Sequence, residues 1–545
     1  MTRMHGRLGA LTLGVALATT MFAGSPAVAA SGPKTPPPLD AARCAALVGT
    51  AIDADRIDLP TTGAVVTSAT WFVDPVGGGQ CRVVGDIAPV DPTAPVIEFQ
   101  VNLPVSWNGR ALQFGGGGYD GSLVTATGRY SQQPAGQATP LQQGFVTLGS
   151  DGGHKGVGFD ASFGLNDEAL LNYGQQSIKK THDAAMVLID LAYGDDPDWF
   201  YFAGFSQGGH EALDAAGRYS KDYDGVIAGT PSYNVTMMHA GIGSMYRDAL
   251  YRDGGIGWIN PTERALIVDS VYAACDPIDG LVDGVVSDTE GCLDAFDIES
   301  LRCADGTDLG DTCLSDAQIE TVNLIAAGKD LGFEIAGNSF AAPGPILTGG
   351  TYNVFGLGTA PQPHNPMDGT EAFQYTVLDA VSKYIITRDP TLDTPNWQLE
   401  SAIPRIQEVG QIMDTTDVSF QQAYAKKVKV LMYTGMADDG ISPYNTIQFY
   451  DRLVADLGEK KVDKMLRFYT IPGFSHGFGP FAASFDSLPV LMAWVEDGVA
   501  PGELTVSDTN AATQGRTRPL CEYPAWPRFD GGDPDSAASF TCVTG

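Results

Sequence analysis

The stretch that most constrains this chain runs from Trp199 to Gly208. Trp199-Phe200-Tyr201-Phe202-Ala203 is a short apolar, aromatic run that leads straight into Gly204-Phe205-Ser206-Gln207-Gly208. A strand, then G-x-S-x-G, then a helix is a nucleophile elbow. The serine sits on a sharp, strained turn, and the flanking glycines keep side chains off the adjoining strand and helix. The following helix aims its first amides at the serine, where they favour a developing negative charge. The five-residue pattern is weak alone, since Gly473-Phe474-Ser475-His476-Gly477 matches it too.

The surroundings of Ser206 set the fold class. Val65–Thr67, Pro95–Val101, Ala111–Phe114 and Gly144–Leu148 read as strands. Ile178, His182, Ala185, Met186, Ile189 and Tyr193 recur at helical spacing within 172–193, and Val226–Gly229 reads as one more buried strand. From 232 to 422 the rhythm breaks into a Gly- and Asn-rich stretch with two cysteine pairs. It resumes with a strand at Lys427–Thr434, a helix at Tyr444–Leu457, a strand at Leu466–Ile471 and a helix at Leu488–Val495. Alternation of this kind implies an α/β protein, a mostly parallel sheet with helices on both faces. The expected architecture is an α/β-hydrolase fold with a large inserted lid domain: 31–231 and 423–545 form the two parts of the hydrolase, and 232–422 forms the lid.

Chain order selects the chemistry. In α/β-hydrolases the triad runs Ser, then Asp or Glu, then His. After Ser475 the one remaining histidine is its neighbour His476, with no acid between, so Ser206 is the candidate nucleophile. Of the seven histidines, His5 lies near the N-terminus, His154, His182 and His210 fall in the first half, and His239 and His364 fall in the insertion. His476 follows a strand near the end of the domain and is the candidate base. The acid is expected after the strand that resumes the sheet, in Gly435-Met436-Ala437-Asp438-Asp439-Gly440; Asp438 is the first choice and Asp439 the second. An oxyanion hole needs two backbone donors: the amide of Gln207 and one from the run Gly115-Gly116-Gly117-Gly118, with Gly117 chosen. That run lacks the G-K-[ST] ending of a phosphate loop.

Cys275-Asp276-Pro277-Ile278-Asp279-Gly280-Leu281-Val282-Asp283-Gly284-Val285 is a second constellation. Asp276, Asp279 and Asp283 can converge on one cation, and hard oxygens suit Ca²⁺. The spacing is not that of an EF-hand, and turns beside a disulfide are the competing explanation.

Arg3 and Arg7, an apolar run from Leu8 to Ala23 and the small residues of Ala27-Val28-Ala29-Ala30 form the three-part pattern of a secretory signal peptide over 1–30. Secretion fits the eight cysteines, an even number: Cys44, Cys81, Cys275, Cys292, Cys303, Cys313, Cys521 and Cys542. None stands in a C-x-x-C metal or redox spacing. Their clustering suggests four local bridges, Cys44 with Cys81, Cys275 with Cys292, Cys303 with Cys313, and Cys521 with Cys542. A net charge of −33 repels nucleic acid and anionic membranes, so neither is an expected partner; a small-molecule ester substrate is the one expected.

Several stretches resemble the tannase/feruloyl esterase family: Leu103–Arg110, Gly115–Gly118, Ser150–His154, Tyr201–Gly209, Tyr223–Gly229, Cys275–Val286, Gly435–Asp438 and Pro472–His476, in the expected order over most of the chain. The resemblance implies a Ser206–Asp438–His476 triad and a lid calcium held by the side chains of Asp276, Asp279 and Asp283 and the carbonyls of Leu281 and Val285. It also implies esters of aromatic acids as substrates: galloyl, feruloyl and related hydroxycinnamoyl groups, or terephthaloyl. Many members carry a disulfide between cysteines beside the serine and the histidine; here those positions are Phe205 and Gly477. The reading is a secreted serine esterase for aromatic-acid esters. Its rivals are an esterase for terephthalate half-esters, aliphatic esters or polyester fragments, and a non-catalytic extracellular binding protein.

Overall fold

The computed structural model describes residues 37–416 and 418–545. The expected signal peptide at 1–30 lies outside the described residues. Ten strands form one mixed sheet. Its first half is antiparallel: β1 (Ala51–Ile52), β2 (Gly63–Asp74), β3 (Gly78–Ala88) and β4 (Ile97–Pro104), with β4 also antiparallel to β6 (Val146–Ser150). The second half is parallel and runs from β6 through β5 (Arg110–Phe114), β7 (Trp199–Phe205) and β8 (Gly225–Gly229). The hairpin of β9 (Lys329–Ile335) and β10 (Asn338–Ala341) stands apart from it. The parallel run is completed by β11 (Lys429–Gly435) beside β8 and by β12 (Leu466–Ile471).

Alternation explains why these strands are apolar throughout. Phe200, Phe202, Val226, Ala228, Val430 and Met432 face one core, which the helices Ser177–Tyr193, Gln207–Gly217 and Pro443–Leu457 share. Tyr201, Ala203, Ile227, Leu431 and Tyr433 face the other, with Leu488 and Leu491 of the helix Ser487–Glu496. Successive strand residues point to opposite faces, so a sheet covered on both sides needs apolar residues at every position.

The described residues between β8 and β11 add no strand to this sheet. It builds a third core from residues such as Met245, Ile267, Val322, Tyr375 and Leu378, which also takes in Tyr119, Phe163 and Tyr173 from the first half of the chain. The two regions are thereby joined by packing as well as by the chain.

All eight cysteines are bridged, in the pairs that the clustering suggested: Cys44–Cys81, Cys275–Cys292, Cys303–Cys313 and Cys521–Cys542. Cys275–Cys292 and Cys303–Cys313 lie in the inserted segment, where the first joins the end of the helix Pro261–Cys275 to the helix Thr289–Ala295. Cys521–Cys542 closes the C-terminal region: Cys542 lies on the strand Phe540–Val543, and Cys521 directly follows the strand Thr517–Leu520. Cys44–Cys81 spans 37 residues and ties the helix Ala41–Ala45 to β3. Replacing both Cys44 and Cys81 by Ser is expected to cost about 4 kcal/mol through the freed loop entropy of the unfolded chain. A lowered urea midpoint would register it; an unchanged midpoint would mean the bridge restrains nothing. Among the described residues no helix is long and apolar enough to cross a membrane.

Candidate active site

The parallel strands deliver their loops to one edge of the sheet. The C-terminal ends of β5, β7, β8, β11 and β12 lead respectively to Gly115–Gly118, Ser206, Ser232, Asp438 and His476. Ligands of open α/β sheets bind at that edge, where the order of strands reverses, as it does here between β5 and β7.

Ser206 occupies the elbow with φ 63° and ψ −121°, a region that non-glycine residues rarely enter. Its amide is tied to the Gly229 carbonyl at 3.0 Å, and its own carbonyl accepts from Gly209 and His210. The elbow glycines are sterically required. A Cβ at Gly204 would stand 2.0 Å from the Gly208 carbonyl oxygen, and one at Gly208 would stand 2.9 Å from that of Gly116.

His476 Nδ1 lies 2.8 Å from Asp438 Oδ2. Asp438 is fully buried, and its Oδ1 accepts the amides of Gly440 and Ile441, both at 2.9 Å. A carboxylate has only acceptors to offer, so Nδ1 carries the proton and Nε2 keeps its lone pair. Asp439 is also buried, but it makes no contact with His476; burial and the adjacent Asp438 push it up to about 8. The rival motif serine, Ser475, is buried in the turn that carries His476, with no partner for its hydroxyl.

Ser206 and His476 line one small cavity of about 30 Å³. Phe159, Tyr173, Phe355 and Phe373 supply aromatic walls, and Met238, His239, Ser232 and Gly118 contribute to the lining. Met238, His239, Phe355 and Phe373 all come from the inserted segment, so the insertion forms part of the wall facing Ser206. His239 Nδ1 is 2.7 Å from the Tyr119 hydroxyl. Burial pulls this histidine down to about 3, so the ring is neutral at neutral pH.

A family model described as tannase and feruloyl esterase matches residues 81–543. The chain belongs to the tannase and feruloyl esterase family. It is 38% identical to an uncharacterised esterase of Agrobacterium fabrum, over 92% of this chain and 93% of the relative. It is 29% identical to the mono(2-hydroxyethyl) terephthalate hydrolase of Piscinibacter sakaiensis, over 85% of this chain and 84% of that one. The crystal structure of feruloyl esterase B from Aspergillus oryzae superposes with a TM-score of 0.74 at 22% identity, covering 92% of this chain and 100% of that one, which shows a shared α/β-hydrolase fold. As a member of this esterase family, the protein is a carboxylic ester hydrolase.

The family frame bears on three details of the site. Where many members are expected to carry a cysteine, Phe205 packs its ring 4.8 Å from the His476 imidazole and also contacts Phe474. The nucleophile strand and the histidine loop are therefore joined here by ring contact. In the glycine run, the Gly115 amide is spent on the Ala203 carbonyl and the Gly116 amide on Glu211. Of the other two, the Gly117 amide faces the Asp120 carboxyl, and Gly118, with φ 61°, lines the cavity beside Ser206 and Gln207.

The acidic loop is the third detail. Asp276 accepts the amides of Asp283 and Gly284, and Asp279 accepts that of Leu281. Asp283 holds Arg518 and Arg516 through Oδ2 and the Val285 amide through Oδ1. Burial and the neighbouring acids push Asp279 up to about 6, a repulsion that a cation among these oxygens would relieve. The Val285 side chain lies against Gly473 in the His476 loop, so this segment touches the site's own support. Asp276, Asp279 and Asp283 do not bring three ligand oxygens within 4.8 Å of one another; among the described residues His364, Asp368 and Glu371 do, in a loop where Glu371 already accepts the amides of His364 and Gly369.

Sequence reasoning brought together Ser206, Gln207, Asp438 and His476, which the structure places at one edge. It set His239 aside as an insertion residue and did not find Phe159, Tyr173, Phe355 or Phe373. No spacing rule links these positions to Ser206, because tertiary packing alone assembles the wall.

Proposed function

We propose that this esterase cleaves esters of aromatic acids through an acyl-enzyme on Ser206. The aromatic cavity wall beside Ser206 and His476 is the observation that carries the reading. A flat aryl acyl group gains both area burial and ring contacts there. His476 Nε2 takes the Ser206 proton, and Ser206 Oγ bonds to the ester carbonyl carbon. The oxyanion is held by the Gln207 amide and one from the glycine run, Gly117 or Gly118. His476 returns the proton to the departing alcohol, and a water then repeats the sequence to release the acid. Asp438 orients the imidazole and stabilises its protonated form. Neutral His239, engaged through Nδ1, leaves Nε2 for a phenolic oxygen of the acyl group.

Two relatives, a mono(2-hydroxyethyl) terephthalate hydrolase and a probable feruloyl esterase, frame the choice of acid. The 29% identity to the terephthalate half-ester hydrolase favours that class as the second reading. Purified protein tested on methyl ferulate, methyl gallate, mono(2-hydroxyethyl) terephthalate and p-nitrophenyl butyrate decides. The expected result is turnover concentrated on one aromatic acid; turnover of the butyrate alone removes the aromatic assignment. The four disulfides support secretion, the signal peptide pattern agrees, and the inserted segment acts as the lid that shapes the acyl pocket.

A structural Ca²⁺ in the acidic loop is a further part of this proposal, and it requires Asp283 to turn from Arg516 and Arg518 toward Asp276 and Asp279. Asp276, Asp279 and Asp283 would hold it with the carbonyls of Leu281 and Val285, where it would offset their mutual repulsion and brace the His476 loop. EDTA is expected to lower the melting temperature by several degrees, as loss of a ligand specific to the native state must, with Asp279→Ala abolishing the calcium response. A melting curve indifferent to EDTA removes the ion from this account.

A further inference from the structure

A pair of buried carboxyl groups lies beneath the glycine run and takes no part in the acyl transfer described above. Asp120 follows the run, and Glu211 lies on the helix that begins at Gln207. They are 7% and 6% exposed. Glu211 Oε2 accepts the Gly116 amide at 2.9 Å. The Asp120 amide donates to the Gly117 carbonyl at 2.9 Å, which closes the turn, and Asp120 itself takes φ 47°, a left-handed conformation. Both carboxyls press on backbone that has no room for a side chain. A Cβ at Gly116 would stand 2.3 Å from Asp120 Oδ1, and one at Gly115 would stand 2.7 Å from Glu211 Oε2.

Asp120 Oδ1 and Glu211 Oε2 thus meet against Gly115 and Gly116, Asp120 Oδ1 has no protein donor, and the Gly117 amide faces the Asp120 carboxyl. Two carboxylates in one buried site cannot both ionise cheaply, whereas one shared proton turns their repulsion into a hydrogen bond. The groups around them do not supply a countercharge. Asp151 faces Asp120 and is paired with Lys155 at 2.9 Å. Asp214 faces Glu211 and is paired with Arg218 at 2.8 Å and bonded by Thr415. Tyr173 and Tyr223, whose hydroxyls burial keeps neutral, complete the surroundings. Burial and mutual repulsion hold both carboxyls above the ordinary carboxylate range.

We propose that Asp120 and Glu211 share one proton and act as positioning residues, clamping the glycine run to the nucleophile helix so that its remaining amides meet the oxyanion. Loss of that proton at alkaline pH separates the carboxyls, shifts Gly116 and its neighbours, and lowers kcat. KM changes little, because the amides act mainly in the transition state. The inference rests on the Ser206 acyl-transfer reading. The sign is that of a raised acid: the clamp is intact while the proton is present and is lost as pH rises.

The test is the pH dependence of kcat and KM between about pH 6 and 9.5 for the full-length enzyme and its Asp120→Asn and Asp120→Ala variants, a window chosen to span a raised carboxyl. Wild type is expected to show an alkaline fall in kcat. Asp120→Asn carries a permanent N–H donor to Glu211, so it should keep kcat at neutral pH within about threefold and lose the alkaline fall. Asp120→Ala should lose kcat by about 10- to 100-fold at nearly constant KM, less than deletion of an oxyanion donor outright. If Asp120→Ala fails to fold, the Asp120→Asn profile alone decides. An alkaline limb unchanged in Asp120→Asn, or absent from wild type, overturns the proposal. Turnover that survives Ser206→Ala would instead overturn the acyl-transfer reading, so the two failures are distinguishable.

Discussion

Ser206→Ala is expected to lower kcat on the best ester by about 10⁴- to 10⁶-fold, the scale on which loss of a triad nucleophile acts. Alanine removes the atom that bonds the acyl group and leaves the elbow otherwise intact. The backbone at 206 is held at φ 63° by the Gly229 carbonyl and by the helix behind it, and those contacts involve main-chain atoms that alanine also has. The melting temperature should therefore change little while turnover collapses. Ser475→Ala is the paired control. Its hydroxyl is buried without a partner, so deletion should cost less than about tenfold. Collapse on Ser475→Ala with retention on Ser206→Ala would reverse the choice between the two G-x-S-x-G matches.

Asp438→Asn is expected to cost about 10⁴-fold in kcat by fixing the wrong histidine tautomer. The amides of Gly440 and Ile441 both donate to Oδ1, so an asparagine must keep its carbonyl there. Its NH₂ then faces His476 Nδ1, which has to accept. The ring proton moves to Nε2, where the base needs a lone pair. Asp439→Asn separates this effect from a general loss of acid. Asp439 is already raised to about 8, so it is mostly protonated at neutral pH, and its amide analogue should stay within about tenfold of wild type. Steady-state kinetics at neutral pH, with circular dichroism to confirm folding, checks both. Equal losses at the two positions would show that neither acts through the tautomer.

The parallel half of the sheet was legible in the sequence because its strands are buried on both faces and read as short continuous apolar runs. Val226–Gly229, Leu466–Ile471 and the run into Ser206 are examples. The antiparallel half was less so. β3, Gly78–Ala88, begins with two glycines and carries Gln80, Arg82 and Asp86, so its apolar signal is diluted, and it is β2 and β4 on either side that hold it. The cysteine pairs were legible because each bridge closes a short loop, so that neighbours in sequence, such as Cys303 and Cys313 or Cys521 and Cys542, are also neighbours in space. The candidate triad positions came from chain order: Ser206 directly follows β7, and Asp438 and His476 lie in the loops after β11 and β12. The cavity wall did not, because Phe355 and Phe373 lie in loop and helix of an insertion whose core is shared with Tyr119 and Tyr173. The choice among the glycines turned on hydrogen bonds to Ala203 and Glu211, which no local pattern announces. The Asp120–Glu211 pair was hidden for the same reason: the residues are far apart in the chain and meet only because the first helical turns after Ser206 lie under the glycine run.

The most direct test of the central claim is to label the purified protein with a fluorophosphonate and locate the adduct by peptide mass spectrometry. The account predicts one stoichiometric adduct on Ser206, abolished by Ser206→Ala and strongly slowed by His476→Ala. An adduct on Ser475, or active enzyme that remains unlabelled, would contradict it.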